Sequence, residues 1–191
     1  NVIAANGTIR ISDSAALGTA ATNLFASGPG TVTFNNSITV NNPITLQGLG
    51  LGNRGTLQVA GGVTTVLTGN LSLAASANAL VSVPSANTLN FSNAIGASNV
   101  FTNLIKSGTG TLIYSGSSNN TFVGTTYVAQ GPMIVNKAQP FNVNAPVIVG
   151  DGAGGDDADV LTAQQSFAAS ALTIGASGHL ISAGAISAVV L

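Results

Sequence analysis

The sequence predicts an all-β chain wound as a parallel β-helix, a three-faced β-solenoid of roughly eight coils spanning 1–191 as a single domain. Three observations predict it. A glycine-led apolar-x-apolar motif recurs at intervals of about 23 residues, each period divides into three short alternating strands, and almost no window supports a helix.

The motif begins at Gly7, Gly30, Gly55, Gly110 and Gly131, with weaker copies at Asn78 and Gly178. The steps are 23, 25, 23, 32, 21 and 47 residues, the last being close to two periods and the 32-residue step the one misfit. Within a period the grammar is plain. Thr31 to Phe34, Ser37 to Val40 and Ile44 to Gln47 alternate apolar with polar residues, and they are separated by Asn35-Asn36 and Asn41-Asn42-Pro43. The next period repeats the plan with Thr56 to Ala60, Val63 to Thr68 and Leu71 to Ala74.

Alternation with period two gives each strand one buried and one wet face, and Asn or Gly supplies the left-handed backbone that a sharp corner requires. Val32, Phe34, Ile38, Val40, Ile44 and Leu46 are thus expected to face the axis and to stack on like residues of the next coil. An antiparallel β-sandwich with Gly and Asn turns is the competing architecture. Hairpin signals are few while the three-strand block recurs, which favours the coil. One stretch, 161–171, has the composition for a single helical turn.

Of 191 residues only four are basic (Arg10, Arg54, Lys106, Lys137) and five acidic (Asp13, Asp151, Asp156, Asp157, Asp159), giving a formal net charge of −1. Nucleic-acid binding, which needs Lys and Arg against phosphates, is excluded. Weak net charge also removes long-range repulsion between copies. There is no cysteine, hence no disulfide and no thiolate metal site. The longest apolar run, at the C-terminus, is far short of the ~20 residues of a membrane-spanning helix. The chain begins at Asn1 with no signal-peptide pattern, which reads as a mature or excised piece.

Residues 106–136 read Lys106-Ser-Gly108-Thr-Gly110-Thr111-Leu112-Ile-Tyr114-Ser115-Gly116, then Asn120-Thr121-Phe122-Val-Gly124-Thr125-Thr126-Tyr127-Val128, then Gly131-Pro132-Met133-Ile134-Val135-Asn136. This segment resembles the autotransporter-associated β-strand repeat, with Pro132 and the extra Ser118-Asn119 as departures. The resemblance covers about a sixth of the chain. It implies a right-handed parallel β-helix of a secreted bacterial passenger type, displayed or released at the cell surface, and it implies no particular activity.

Candidate sites are sparse. Asp151, Asp156, Asp157 and Asp159 lie in one Gly-rich string and form a weak Ca²⁺ candidate, since hard cations take several oxygen ligands from such turns. A single copy of the pattern reads more plainly as a solvated loop. His179 has no Cys, second His or Glu near it in sequence and reads as a surface strand residue, and Lys106 reads as a solubilising corner charge. Tyr114, Phe122 and Tyr127 read as fillers or covers of the core. No catalytic residues and no cofactor are expected, so the chain is not read as an enzyme.

The function expected is that of an extracellular structural protein, a solenoid subunit stacking end to end or side by side into a fibre, sheath or matrix with itself as partner. The alternative is a surface adhesin or glycan-binding stalk, with loops 92–103 and 150–159 making contacts.

Overall fold

The computed structural model describes residues 1–74, 78–97 and 101–190. The first coils carry β1 (Val2–Ala4), β2 (Thr8–Ile11), β3 (Leu24–Ala26), β4 (Thr31–Phe34), β5 (Thr39–Val40) and β6 (Ile44–Leu46). A 3-10 turn (Leu51–Asn53) precedes β7 (Leu57–Val59), β8 (Thr64–Leu67) and β9 (Leu71–Leu73). Next come β10 (Asn78–Ser82), β11 (Thr88–Phe91), β12 (Ile95–Ala97), β13 (Asn103–Ser107) and β14 (Thr111–Tyr114). The chain continues through β15 (Thr126–Val128), β16 (Gly131–Val135), β17 (Val147–Val149), β18 (Asp159–Ala163), β19 (Phe167–Ile174), β20 (Gly178–Ser182) and β21 (Ile186–Val190).

These strands form three sheets in which every neighbour pair within them is parallel. Sheet A is β1-β3-β6-β9-β12, sheet B is β2-β4-β7-β10-β13-β15-β17-β19-β21, and sheet C runs β5-β8-β11-β14-β16-β18-β20. The chain is a parallel β-solenoid, and the seven strands of sheet C and nine of sheet B bracket the coil number expected from the repeat. A sandwich is ruled out by direction, because its hairpin-linked strands would be antiparallel.

The alternation of the sequence becomes the alternation of burial. Val32 and Phe34 are fully buried and stack on Leu57 and Val59 of the next coil, and on sheet A the inward residues Ile44 and Leu46 stack in the same way on Leu71 and Leu73. Fully burying such a side chain contributes roughly 1.5–3 kcal/mol, and no coil can achieve it without the coils above and below.

The structure departs from the expectation in three places. The 32-residue step vanishes, because Asn78 is in register with Asn103, 25 residues on, whereas Gly110 leads into a strand of sheet C. The motifs at Gly7, Gly30, Gly55 and Asn78 introduce sheet B, and those at Gly110, Gly131 and Gly178 introduce sheet C. Two faces share one grammar, so spacing alone merged them. The second departure is that 161–171 holds no helical turn: it belongs to β18 and β19, where Leu161, Phe167 and Ala169 turn inward and parallel ladders satisfy the backbone.

The third is that sheet A has no strand beyond Ile95–Ala97 among the described residues. The segment around Asn120 replaces it with irregular backbone that still stacks: the Thr121 N–H donates to the Ile95 carbonyl at 2.8 Å, and Asn120 N–H to the Gln139 carbonyl at 3.0 Å. Phe122 and Phe141 fill the core there. Along the axis Phe91, Tyr114, Phe141 and Phe167 form a continuous aromatic column with ring centroids 5.8, 6.2 and 5.2 Å apart. Such pairs add about 0.5–1.5 kcal/mol each beyond area burial.

Glycine is required where coils touch. Gly108 has φ 79° and its missing Cβ would stand 2.4 Å from the Val83 carbonyl oxygen, while a Cβ on Gly124 would meet the Thr102 carbonyl oxygen at 2.0 Å.

Candidate functional site

The charged residues divide into two kinds, those consumed inside the solenoid and those displayed on it. Lys106 corrects the reading of a solubilising corner charge. On β13 it shares the inner phase with Leu104 and lies in register with Val81 and Val128, so its stem is part of the core. Its Nζ donates to the carbonyl oxygens of Gly108 and Gln130 at the corner. Burial pulls its pKa down from 10.5 to about 8, opposed by the negative charge of Asp159.

Asp159 is itself buried at the start of β18, where Oδ1 accepts from the Gly131 N–H at 3.0 Å and Oδ2 from the Ser177 hydroxyl at 2.6 Å. Lys137 is the second buried lysine. Its Nζ donates to the Asn93 carbonyl oxygen at 3.0 Å and to Asn120 Oδ1 at 3.3 Å, and burial lowers its pKa to about 8. Charge inside this protein serves the stacking of coils.

The four aspartates of the Ca²⁺ candidate are placed apart in role. Asp159 is in the wall, Asp151 Oδ1 accepts from the Ala153 N–H at 2.8 Å within its own turn, and Asp157 Oδ1 lies 2.8 Å from His179 Nδ1 on the surface. Asp156 is exposed. Among the described residues no three His, Cys, Asp or Glu side chains are grouped to hold a metal ion. His179 is on β20 as expected, and its acidic neighbour comes from the previous coil, a proximity that sequence distance hides.

Tyr114 and Phe122 are core residues, while Tyr127 faces outward on β15. Of the expected contact loops, 150–159 is described, whereas 92–103 includes 98–100, which lie outside the described residues. The C-terminal apolar run ends at Leu191, also outside them.

What sequence reading missed is a polar cleft of about 240 Å³ on the outer face of sheet B, walled by Arg10 and Arg54 and floored by Thr31, Thr33 and Gln58. The two arginines are 44 residues apart, and only the coil register brings them to one place: Arg10 is opposite Thr33, and Thr33 opposite Gln58. The outer faces also carry apolar rows. On sheet B, Ile105, Tyr127 and Ile148 are half-buried and in register, next to a Leu80 that is itself buried, and on sheet C Ile113 is in register with Ile134.

No family model, curated protein or solved structure matches the chain. No helix among the described residues is long and apolar enough to cross a membrane.

Proposed function

We propose that this chain is an extracellular structural protein whose solenoid rods associate side by side into a fibre, sheath or matrix. The observation that carries the reading is the pair of outward apolar rows. The half-buried Ile105, Tyr127 and Ile148 cross three successive strands of sheet B, and the half-buried Ile113 and Ile134 lie side by side on sheet C. These residues point away from the core, where a half-wet strand ordinarily presents polar groups. Contiguous outward apolar surface marks an interaction face, and a net charge of −1 offers little repulsion to a second copy.

The interior supports the same reading. Both lysines and Asp159 are tied to backbone and side-chain groups of neighbouring coils, which stiffens a rod. The resemblance of 106–136 to a repeat of secreted passengers agrees with a surface location.

Negative-stain microscopy and sedimentation test it, with the variant I105K/I148K as comparison. The wild-type chain is expected to form concentration-dependent lateral assemblies, and the variant, whose new charges lie on the wet face, to remain as discrete rods of the same fold. Discrete rods for the wild type at high concentration refute the proposal.

A further inference from the structure

We infer that the cleft between Arg10 and Arg54 is a binding site for an acidic saccharide unit, a hydroxylated ring bearing a carboxylate or sulfate. The inference goes beyond the structural reading: the apolar rows lie on later coils of the rod, so assembly can fail while this cleft binds, and the reverse.

The cleft is built rather than incidental. Its far wall is the loop that carries the 3-10 turn Leu51–Asn53, folded back over sheet B and pinned there. The Leu51 N–H donates to Thr31 Oγ1 at 2.9 Å, Thr31 Oγ1 donates to the Gly55 carbonyl oxygen at 3.0 Å, and the Gly55 N–H donates to the Leu49 carbonyl oxygen at 2.9 Å. Arg54 therefore stands on a fixed wall facing the row that begins with Arg10.

That row places Arg10, Thr33 and Gln58 on three adjacent strands, about 4.8 Å apart from one to the next. Thr33 faces outward from the core and lines the floor of the cleft. Its hydroxyl can both donate to and accept from a ligand hydroxyl in the cleft. Gln58 donates its Nε2 to the Arg54 carbonyl oxygen at 3.0 Å, which fixes the amide and turns Oε1 into a free acceptor.

Charge sets the ligand class. Half of the chain's basic residues meet here, no carboxylate lines the cleft, and among the described residues neither guanidinium has an ion pair. Asp13, the nearest acid in sequence to Arg10, is engaged with the Ala15 N–H at 2.7 Å. Two unpaired guanidiniums select carboxylate or sulfate by paired N–H donation. The remaining surface selects what carries the anion. Thr33 and Gln58 offer neutral hydrogen bonds suited to ring hydroxyls, and Leu51, 48% exposed, supplies an apolar flank for the C–H face of a ring. A volume of about 240 Å³ lies below the roughly 300–1,000 Å³ of larger ligand sites and suits one ring at a time.

Isothermal calorimetry on the full chain tests this with four probes: a hyaluronan tetrasaccharide, a chondroitin sulfate tetrasaccharide, neutral chitotetraose and sodium sulfate. At least one acidic tetrasaccharide is expected to bind, at least tenfold more tightly than sulfate, with chitotetraose silent. R10Q and R54Q each weaken that binding at least tenfold, and T33V weakens it several-fold without changing the melting temperature by more than a few degrees. Silence of both acidic probes, equal affinity for sulfate or for chitotetraose, or binding that survives R10Q/R54Q overturns the inference.

Discussion

Nζ of Lys137 lies 3.3 Å from Oδ1 of Asn120, and through that contact one side chain joins three coils. The same Oδ1 accepts from the Ile95 N–H at 2.9 Å on one side, while the Asn120 Nδ2 donates to the Pro140 carbonyl oxygen at 2.7 Å on the other. Sheet A has ended by this point, so side chains replace the lost ladder.

Asn120→Ala removes all three bonds and leaves the Ile95 N–H and one donor of the Lys137 amine buried. At about 1 kcal/mol per bond, the expected loss is about 3 kcal/mol, read as a lower urea midpoint at unchanged m-value. A loss under about 0.5 kcal/mol contradicts the staple.

The buried lysines predict that stability rises with pH. Each has a folded pKa of about 8 against 10.5 when exposed, so between those values the unfolded chain binds more protons and unfolding is disfavoured as protons are withdrawn. For the pair the gain between pH 7 and pH 10 is about 2–4 kcal/mol after allowance for solvent reaching the amines at the corners. Lys106→Met loses its share of the rise, so its destabilisation relative to wild type is larger at pH 9.5 than at pH 7. Parallel pH profiles of the two proteins contradict this.

Tyr114 limits that rise from above. Its hydroxyl is buried without a partner among the described residues, and burial holds its pKa well above the usual phenol range, so ionisation in the unfolded state erodes stability above about pH 10. Tyr114→Phe keeps the ring in the aromatic column and removes the unpaired group. The expected result is a gain of about 1 kcal/mol and a flatter alkaline limb in urea titrations. A loss of similar size would reveal a partner for the hydroxyl.

Close coil contact predicts a contrast between two glycines. Gly124→Ala puts a Cβ 2.0 Å from the Thr102 carbonyl oxygen, whereas Gly7→Ala meets nothing within 4 Å. Thermal melts are expected to show a drop of about 10 °C or more for the first and a change within about 0.5 kcal/mol for the second. Equal effects would mean the backbones are not stacked as described.

The block from Thr31 to Gln47 was legible in the sequence because strand alternation and Asn corners are local signals, and it became β4, β5 and β6. Lys106 was legible only in part. Its phase with Leu104 marks it as inward, but a charge on an inward position is tolerated only where carbonyls converge, and the Gln130 carbonyl arrives from 24 residues away. Phe141 belongs to the aromatic column while lying outside any strand, so no periodicity announces it. The Arg10 and Arg54 cleft depends on coil register and on a loop folding back, neither of which local pattern contains.

The winding itself is tested most directly by distances along one outward row of sheet C. Thr39, Ile134, Thr162 and Ile181 belong to one register chain through Val66, Asn90 and Ile113. With spin labels at 39 paired in turn with 134, 162 and 181, four, five and six strand steps separate the labels. Parallel stacking predicts backbone separations of about 19, 24 and 29 Å, rising by one strand spacing of about 4.8 Å per coil. Separations that fail to increase with coil number contradict a chain wound lap upon lap around one apolar axis.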